Sequence, residues 1–358
     1  MAVSVPHTKL GDLDVSTLTL GTWQFGDTLL YQKQTPEVEA RIVKNAFEVG
    51  INFFDTAEAY NDGVSEQALG NALKASGRER DEYVIATKVN GDNLKPERLR
   101  PIFERSLENL QTDHVDILQI HWPNDQVPPS VYMPVIREFV EEGKVHAIGI
   151  SNHGCQDMQT VLDTGATIIS NQLPYNLLNR VVEDSIIPFC QQRDIAVLAY
   201  SPLAQGLLTG KYTCVADCPP GLSRSRYFDQ SRSPFSRHGE AGCEQQLFET
   251  LAALKRIAEA QQMTLAQLSL AWLRQKAPTT IIFGASKPEH VFTNAECVQY
   301  HLDEAVMREI DACTLPMKEA LHGNPDLWNH TSRVHSSVCC KQDTSSPPPT
   351  AAWWSGCP

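Results

Sequence analysis

A closed (β/α)₈ barrel, of the α/β TIM-barrel class, is the fold the sequence predicts, and three observations predict it. Eight short apolar runs rich in β-branched residues recur along the chain, and each stops at a polar residue. Helical patterns lie between them. No G-x-G-x-x-G turn follows any run, so the rival architecture, an open doubly wound sheet holding a dinucleotide, lacks its usual phosphate turn.

The runs, in order, are "STLTLGTW" (16–23), "INFFDT" (51–56), "YVIATK" (83–88), "VDILQIH" (115–121), "VHAIGISN" (145–152), "TIISNQ" (167–172), "IAVLAYS" (195–201) and "TTIIFGAS" (279–286). Between the first two, Thr35-Pro36 supply a cap and a first turn. Val38, Ile42, Val43, Ala46 and Phe47 then share one helical face, and Gly50 is the stop. "GLLTGKY" (206–212) resembles a phosphate loop only superficially: it is one residue short and has Tyr212 where Ser or Thr would follow the Lys. Residues 205 to 243 form a long connection rich in Gly, Ser, Pro and Arg, which in a compact domain reads as a lid over the site. The barrel is assigned to residues 1–330. The segment 331–358 is Pro- and Ser-rich, of low complexity, and fits no barrel element. It is expected to be a disordered tail whose removal leaves fold and activity intact, its Cys339-Cys340 pair being exposed thiols.

With 358 residues the chain can bury a substantial core. Its 30 Lys and Arg against 43 Asp and Glu give a net charge of −13, which argues against nucleic acid as a partner while leaving room for one small phosphorylated ligand. No stretch approaches the length of a membrane span, and the N-terminus lacks the basic start and apolar middle of a signal peptide. A cytoplasmic location with no membrane partner is therefore expected. The ten cysteines are scattered without zinc-ligand spacing, so they read as reduced thiols, Cys214 and Cys218 included. Nothing in the sequence indicates an oligomeric state.

Barrel active sites form at the carboxyl ends of the strands. Asp55, Lys88 and His121 all end predicted strands, at equal spacings of 33 residues, and Tyr60 lies in the loop leaving the first of them. Taken singly, each has an ordinary structural reading: a turn cap, a snorkelling cation, a packed ring beside Trp122. Together they make a chemical set. A phenol is a weak acid at neutral pH until a cation stabilises its anion. Lys88 supplies the cation, Asp55 holds it, and His121 orients a substrate oxygen toward Tyr60. The set suits protonation of a developing alkoxide, half of a carbonyl reduction.

On "GTWQFG", "FFDTAEAY", "IATKV", "ILQIHWP", "EGKVHAIGISN", "NQLPYNLLNR", "AYSPLAQGLLTGKY" and "GASKPEHVFTNAE", the chain from about Leu10 to Asn324 resembles the aldo-keto reductases. The resemblance implies a (β/α)₈ barrel that binds NADPH without a Rossmann motif and reduces an aldehyde or ketone to an alcohol. Tyr60 is then the general acid, Lys88 and Asp55 its tuning pair, and His121 the orienter. Cofactor contacts are implied at Gly21, Thr22, Trp23 and Asp55. Ser151, Asn152 and Gln172 are placed on the nicotinamide carboxamide, and Tyr200 stacked on its ring. Ser201, Leu203, Gly206 and Lys211 fall along the pyrophosphate; Ser286, His290 and Asn294 fall at the adenosine end. Lys211, Arg224, Arg226 and Lys287 are the candidate phosphate cations. Trp23, Tyr60, His121 and Trp122 line the substrate pocket. Ser286 stands where many members of the family carry an Arg for the 2′-phosphate, and His290 where Gln or Arg is common, so NADH stays possible.

Two other readings stand beside this one. The β subunits of voltage-gated potassium channels resemble the same family and bind cofactor as regulatory partners. An Asn tends to take the place of His121 in them, so His121 and the short arm before "TLTLGTW" favour a working reductase. A Schiff-base role for Lys88 is disfavoured by the acid and phenol beside it, which keep the ammonium charged.

Overall fold

The computed structural model describes residues 3–27, 34–276 and 278–336. Strands β1 (His7–Leu10) and β2 (Leu13–Ser16) pair as an antiparallel hairpin. Eight parallel strands then close a barrel: β3 (Leu18–Gly21), β4 (Phe53–Asp55), β5 (Val84–Val89), β6 (Val115–Ile120), β7 (Val145–Ser151), β8 (Ser170–Pro174), β9 (Ala196–Tyr200) and β10 (Thr280–Gly284), the last pairing with β3. Each overlaps one of the eight predicted runs, and the barrel class is as expected.

Around the barrel lie α1 (Pro36–Glu48), α2 (Val64–Ser76), α3 (Pro96–Leu110), α4 (Pro129–Glu141), α5 (Cys155–Leu162), α6 (Ile186–Gln191), α7 (Glu244–Ala260), α8 (Leu265–Gln275), α9 (Glu289–Ala295) and α10 (Glu304–Ala320). In α1, Ile42, Val43 and Ala46 are buried as their spacing predicts, and the chain leaves through Gly50 at φ +85°. Thr35 occupies the cap position, but its side chain makes no capping bond there. No helix among the described residues is long and apolar enough to cross a membrane.

Two hydrophobic layers decide where the site can be. The larger fills the space between strands and helices. The smaller lies inside the barrel, where Phe53, Val84, Ala86, Ile117, Leu198 and Ile282 pack with Leu10 and Val15 of the hairpin. The hairpin thus plugs the end at which the strands begin. Residues two apart on a strand face the same way. The next inward positions toward the carboxyl ends are accordingly Asp55, Lys88, Gln119 and Tyr200, so the barrel interior turns from apolar to polar along each strand.

Equal sequence spacing did not mean equal register. Asp55 pairs with Ala86, and Lys88 with Gln119. Asp55, Lys88 and His121 therefore climb by two residues per strand, a consequence of barrel stagger. A climb of two preserves the inward parity, which is why all three side chains still meet.

The connection from 205 to 243 is packed rather than open. It buries Leu222, Tyr227, Phe228 and Cys243 against the core. It also joins the chain's end: the Arg226 amide donates to the Leu327 carbonyl at 2.9 Å. The edge expected between residues 330 and 331 is not an edge of packing. Val334 is buried, Arg333 pairs with Asp326, and His335 pairs with Asp157. The expectation of a disordered tail is thus corrected for residues 331–336. Residues 337–358, with Cys339 and Cys340, lie outside the described residues. The described cysteines, Cys214 and Cys218 among them, are free thiols.

Candidate active site

Lys88 is fully buried and its ammonium is fully engaged. Nζ donates to Asp55 Oδ1 at 2.6 Å, to the Thr56 carbonyl at 2.7 Å and to the Tyr60 hydroxyl oxygen at 3.3 Å. The other Asp55 oxygen accepts from Gln172 Nε2 at 2.7 Å and from Gln119 Nε2 at 3.1 Å. A buried ion pair survives only when its remaining donors and acceptors are met, and here the barrel meets them. Gln119 was not foreseen in the sequence. Its signal was available: a polar residue in an apolar strand, two positions before His121 and so on the same inward face.

The loop carrying Tyr60 is set by its own anchors. The Thr22 hydroxyl donates to the Asp55 carbonyl and shares a hydrogen bond with Ser65, which also meets Thr56. Glu58 reaches forward to accept from the Asn90 amide and from Asn93 at 2.9 Å each. These bonds tie the Tyr60 loop to the end of β5, where Lys88 sits. The rings of Tyr60 and His121 meet edge to face at 5.6 Å, and Trp23 lies 6.3 Å from Tyr60.

Burial, and then the negative charge of Asp55, hold the Tyr60 phenol well above its ordinary pKa. The cation beside it predicts a shift in the other direction. The difference has a physical reason: burial strips the phenolate of its hydration, and the Lys88 charge that would offset this is already paired with Asp55, which is closer to it than the phenol is. Burial also lowers the Lys88 pKa, against the opposing pull of Asp55. His121 is pushed well below the usual histidine range by burial, then by the charges of Lys88 and Arg333. Its imidazole is neutral at physiological pH, with one N–H to donate.

Of the residues expected along a cofactor, Ser151, Asn152 and Gln172 are brought together beside this set. The Asn152 amide donates to the His121 carbonyl at 3.0 Å and accepts from the Tyr200 hydroxyl at 2.9 Å, with Asn152 itself at φ +59°. Ser151 donates to the Gln172 carbonyl. Downstream, Ser201, Ala204, Gln205 and Gly206 all take positive φ, a turn past Leu203 beside which Lys211 Nζ lies. Lys211 and Lys287 both bear on His290, which shares a hydrogen bond with Ser286. Asn294 is buried one turn further along α9.

Several expected residues fall elsewhere. Thr22 is fully buried with its hydroxyl engaged as above, and Gly21 packs its backbone against Ile282, so neither offers a side-chain group to a ligand. Arg226 is buried, pairs with Glu240 at 2.9 Å and donates to the Leu321, Asn324 and Asp326 carbonyls. It is a structural clamp, not a phosphate cation. Arg224 lies between the rings of Trp23 and Trp328, at 5.3 and 5.0 Å. That places it on the Tyr60 side of the mouth. Arg333 lies over Trp122 at 3.6 Å. Trp328, Arg224 and Arg333 thus join Trp23 and Trp122 in a collar of rings and guanidinium groups around Tyr60 and His121. Trp328 and Arg333 had no local sequence signal.

A parallel barrel gathers a phenol, a buried ammonium–carboxylate pair and a neutral imidazole at adjacent strand ends, the end at which barrel enzymes carry their sites. The chain belongs to the aldo/keto reductase family, a family of oxidoreductases, whose model matches residues 17 to 315. It is 32% identical over 327 residues to the NADH-specific methylglyoxal reductase of Escherichia coli (strain K12), covering 84% of this chain and 95% of that one. It is 31% identical to a putative voltage-gated potassium channel subunit beta of Schizosaccharomyces pombe, covering 86% and 93%. Among solved structures, an aldo-keto reductase from Klebsiella pneumoniae in complex with NADPH superposes with a TM-score of 0.65 at 26% identity, covering 87% of this chain and 95% of that one.

Proposed function

We propose that this protein reduces an aldehyde or ketone to the alcohol with NADPH, with Tyr60 as the proton donor. One observation carries the reading. The Tyr60 oxygen accepts a hydrogen bond from Lys88, so its own O–H is left to donate to an incoming carbonyl oxygen. Its high pKa keeps the proton in place until an alkoxide, a far stronger base, develops beside it. Lys88 then stabilises the phenolate left behind, and Asp55 with Gln119 and Gln172 keeps that ammonium aimed. His121, neutral, donates its N–H to the substrate oxygen and sets its approach. The Trp23 and Trp122 rings wall the substrate.

The residues present fit a nicotinamide cofactor. The buried amides of Asn152 and Gln172 bond to the His121 carbonyl and to Asp55, with Gln172 Oε1 as an acceptor for a carboxamide N–H, and Tyr200 is held by Asn152 as a stacking face. The positive-φ turn at 204–206 with Lys211, and the Lys287–His290 pair, suit its phosphates. When bound, the cofactor supplies the hydride.

Quenching of protein fluorescence by NADPH and NADH, followed by turnover on a panel of aldehydes, ketones and quinones, tests the reading. Turnover by the wild type and none by Tyr60→Phe is expected. The likeness to a potassium channel subunit beta favours a second reading, a cofactor-binding regulatory subunit. Tight cofactor binding with no turnover of any carbonyl would give it the lead.

A further inference from the structure

We propose that Glu66, on the helix side of the barrel wall, is a positioning residue for the reduction: it anchors β5 at the residue before Lys88 and sets a second negative charge facing the Lys88 ammonium. Its part in turnover rests on the reductase reading, and its coupling to Lys88 on packing alone. Glu66 lies on α2 and is fully buried. Successive strand residues face opposite ways, so Thr87 points out toward the helices where Lys88 points into the barrel. The Thr87 hydroxyl donates to Glu66 Oε1 at 2.6 Å, and Asn109 Nδ2 of α3 donates to Glu66 Oε2 at 3.1 Å. Glu58 holds the same strand from the β4–α2 loop: its amide donates to the Lys88 carbonyl at 3.2 Å, and its carboxylate accepts from the Asn90 amide. β5 is thus held at residues 87, 88 and 90, and Lys88 is fixed among these anchors.

Gly70, one turn on from Glu66, is an independent sign that α2 and α3 are shaped for this contact. A β-carbon there would stand 2.7 Å from the Asn109 carbonyl oxygen, and one at Gly63 would stand 2.6 Å from Asn109 Nδ2. The close approach of α3 leaves room for nothing larger, and that approach brings Asn109 to Glu66. A glutamine would hold Thr87 and Asn109 equally well at a smaller desolvation cost, so the charge of this sealed carboxylate answers to something else. It answers to Lys88.

Lys88 is faced by Asp55 from β4, by Tyr60 from the loop after it, by Glu66 from α2 and by His121 from the end of β6. Burial lowers its pKa; the charge and hydrogen bond of Asp55 oppose this, and the charge of Glu66 adds to them. Glu66 is itself raised by burial and by the neighbouring Glu58, while bonds from Thr87, Asn109 and Ser106 favour its ionised form. Arg105 is the cation nearest that pair of acids, 4.0 Å from Glu58. Removing the Glu66 charge takes away one influence that keeps Lys88 protonated, so the ammonium is then lost at a lower pH.

The test is the pH profile of kcat, from neutral to alkaline, in the full-length protein. Glu66→Gln keeps the size and can keep both hydrogen bonds, so it reads the charge: the alkaline midpoint should move down by about one pH unit. Thr87→Val reads the anchor. It keeps the charge, so kcat should fall by roughly threefold to tenfold at every pH with little movement of the midpoint. Glu66→Asp, shorter but still charged, should bring the midpoint back toward wild type. An unmoved midpoint in Glu66→Gln, or an equal movement in Thr87→Val, overturns the proposal. If Glu66→Gln does not fold, the double variant Thr87→Val with Glu66→Met, which strands no hydroxyl, must show the same displacement. Nitrogen NMR of lysine-labelled protein needs no substrate: the Lys88 Nζ resonance, identified by its loss in Lys88→Met, should titrate about one unit lower in Glu66→Gln than in wild type. Coincident curves overturn the coupling. If the wild type reduces no carbonyl, the reductase reading fails, and the NMR titration still decides whether Glu66 holds the charge on Lys88.

Discussion

Asp55 and Asp326 are both buried carboxylates paired with a cation, and their surroundings differ. Asp55 holds Lys88 with both side chains sealed from solvent, at 3% and 0% exposure. Asp326 is sealed at 0%, but its partner Arg333 keeps 39% of its side chain exposed. The first pair is locked by strands on three sides, with Gln119 and Gln172 completing its shell. The second is held by a loop, with the Trp328 amide and Asn329 as further donors. Burial works against the Asp326 charge, yet Arg333 and these donors bring its pKa below the ordinary carboxylate value. A sealed pair cannot rearrange without unfolding the barrel mouth. A pair open on one side can release its cation to water at small cost. The comparison teaches that the same ion-pair chemistry is enclosed on both sides in one place and left open to water on its cation side in the other.

The largest effect expected belongs to the fixed region. Tyr60→Phe keeps the ring and removes the proton, so turnover should fall by about 10² to 10⁴ while NADPH still quenches fluorescence. Near wild-type turnover on a good aldehyde would remove Tyr60 from the mechanism. Next comes the contrast between the pairs. Lys88→Met strands a buried carboxylate and should cost about 3 to 5 kcal/mol in urea unfolding. Arg333→Met, at a half-open site, should cost on the order of 1 kcal/mol. Equal losses would show that the two pairs are not different in kind.

Acidity sharpens the same point. With the phenol held high and Lys88 drawn low, the alkaline loss of activity should come from Lys88 deprotonating, at a pH below its ordinary value of about 10.5. A pH profile of kcat that stays flat through that value would contradict the assignment. A smaller effect is expected at the cofactor's far end. Replacing Lys287 by Ala should weaken NADPH binding by about tenfold or more and leave NADH binding nearly unchanged, the worth of one charge-assisted contact. Parallel losses for both cofactors would place Lys287 away from the 2′-phosphate.

The smallest effect lies where residues 333–335 pack on α5. Because the folded-state pKa of His335 is raised, its stabilisation is fully present below the unfolded value of about 6.5 and is lost as pH rises through the folded value. The melting temperature of His335→Gln should therefore fall below wild type at pH 5.5 and match it at pH 9. The difference corresponds to at most about 1 kcal/mol, since the side chain is partly exposed and screened.

By itself the sequence determined the barrel and the residues at its strand ends. Apolar runs with period-two parity and a polar last residue are local signals, and a strand's parity dictates which side chains face inward whatever the rest of the fold does. Asp55, Lys88 and His121 were legible for that reason, and Gln119 would have been had the parity been followed one step back. The tertiary structure alone decided the rest. It set the two-residue climb between strands, since register depends on closing the barrel. It reversed the direction of the Tyr60 pKa shift, since burial penalises the phenolate first and the Asp55 charge adds to that, and burial is decided only by the packed fold. And it seated Arg224, Trp328, Arg333 and His335, which are separated from the residues they touch by 100 or more positions in several cases. Contacts of that range carry no periodicity, because each depends on two distant segments meeting and leaves no pattern in either one alone.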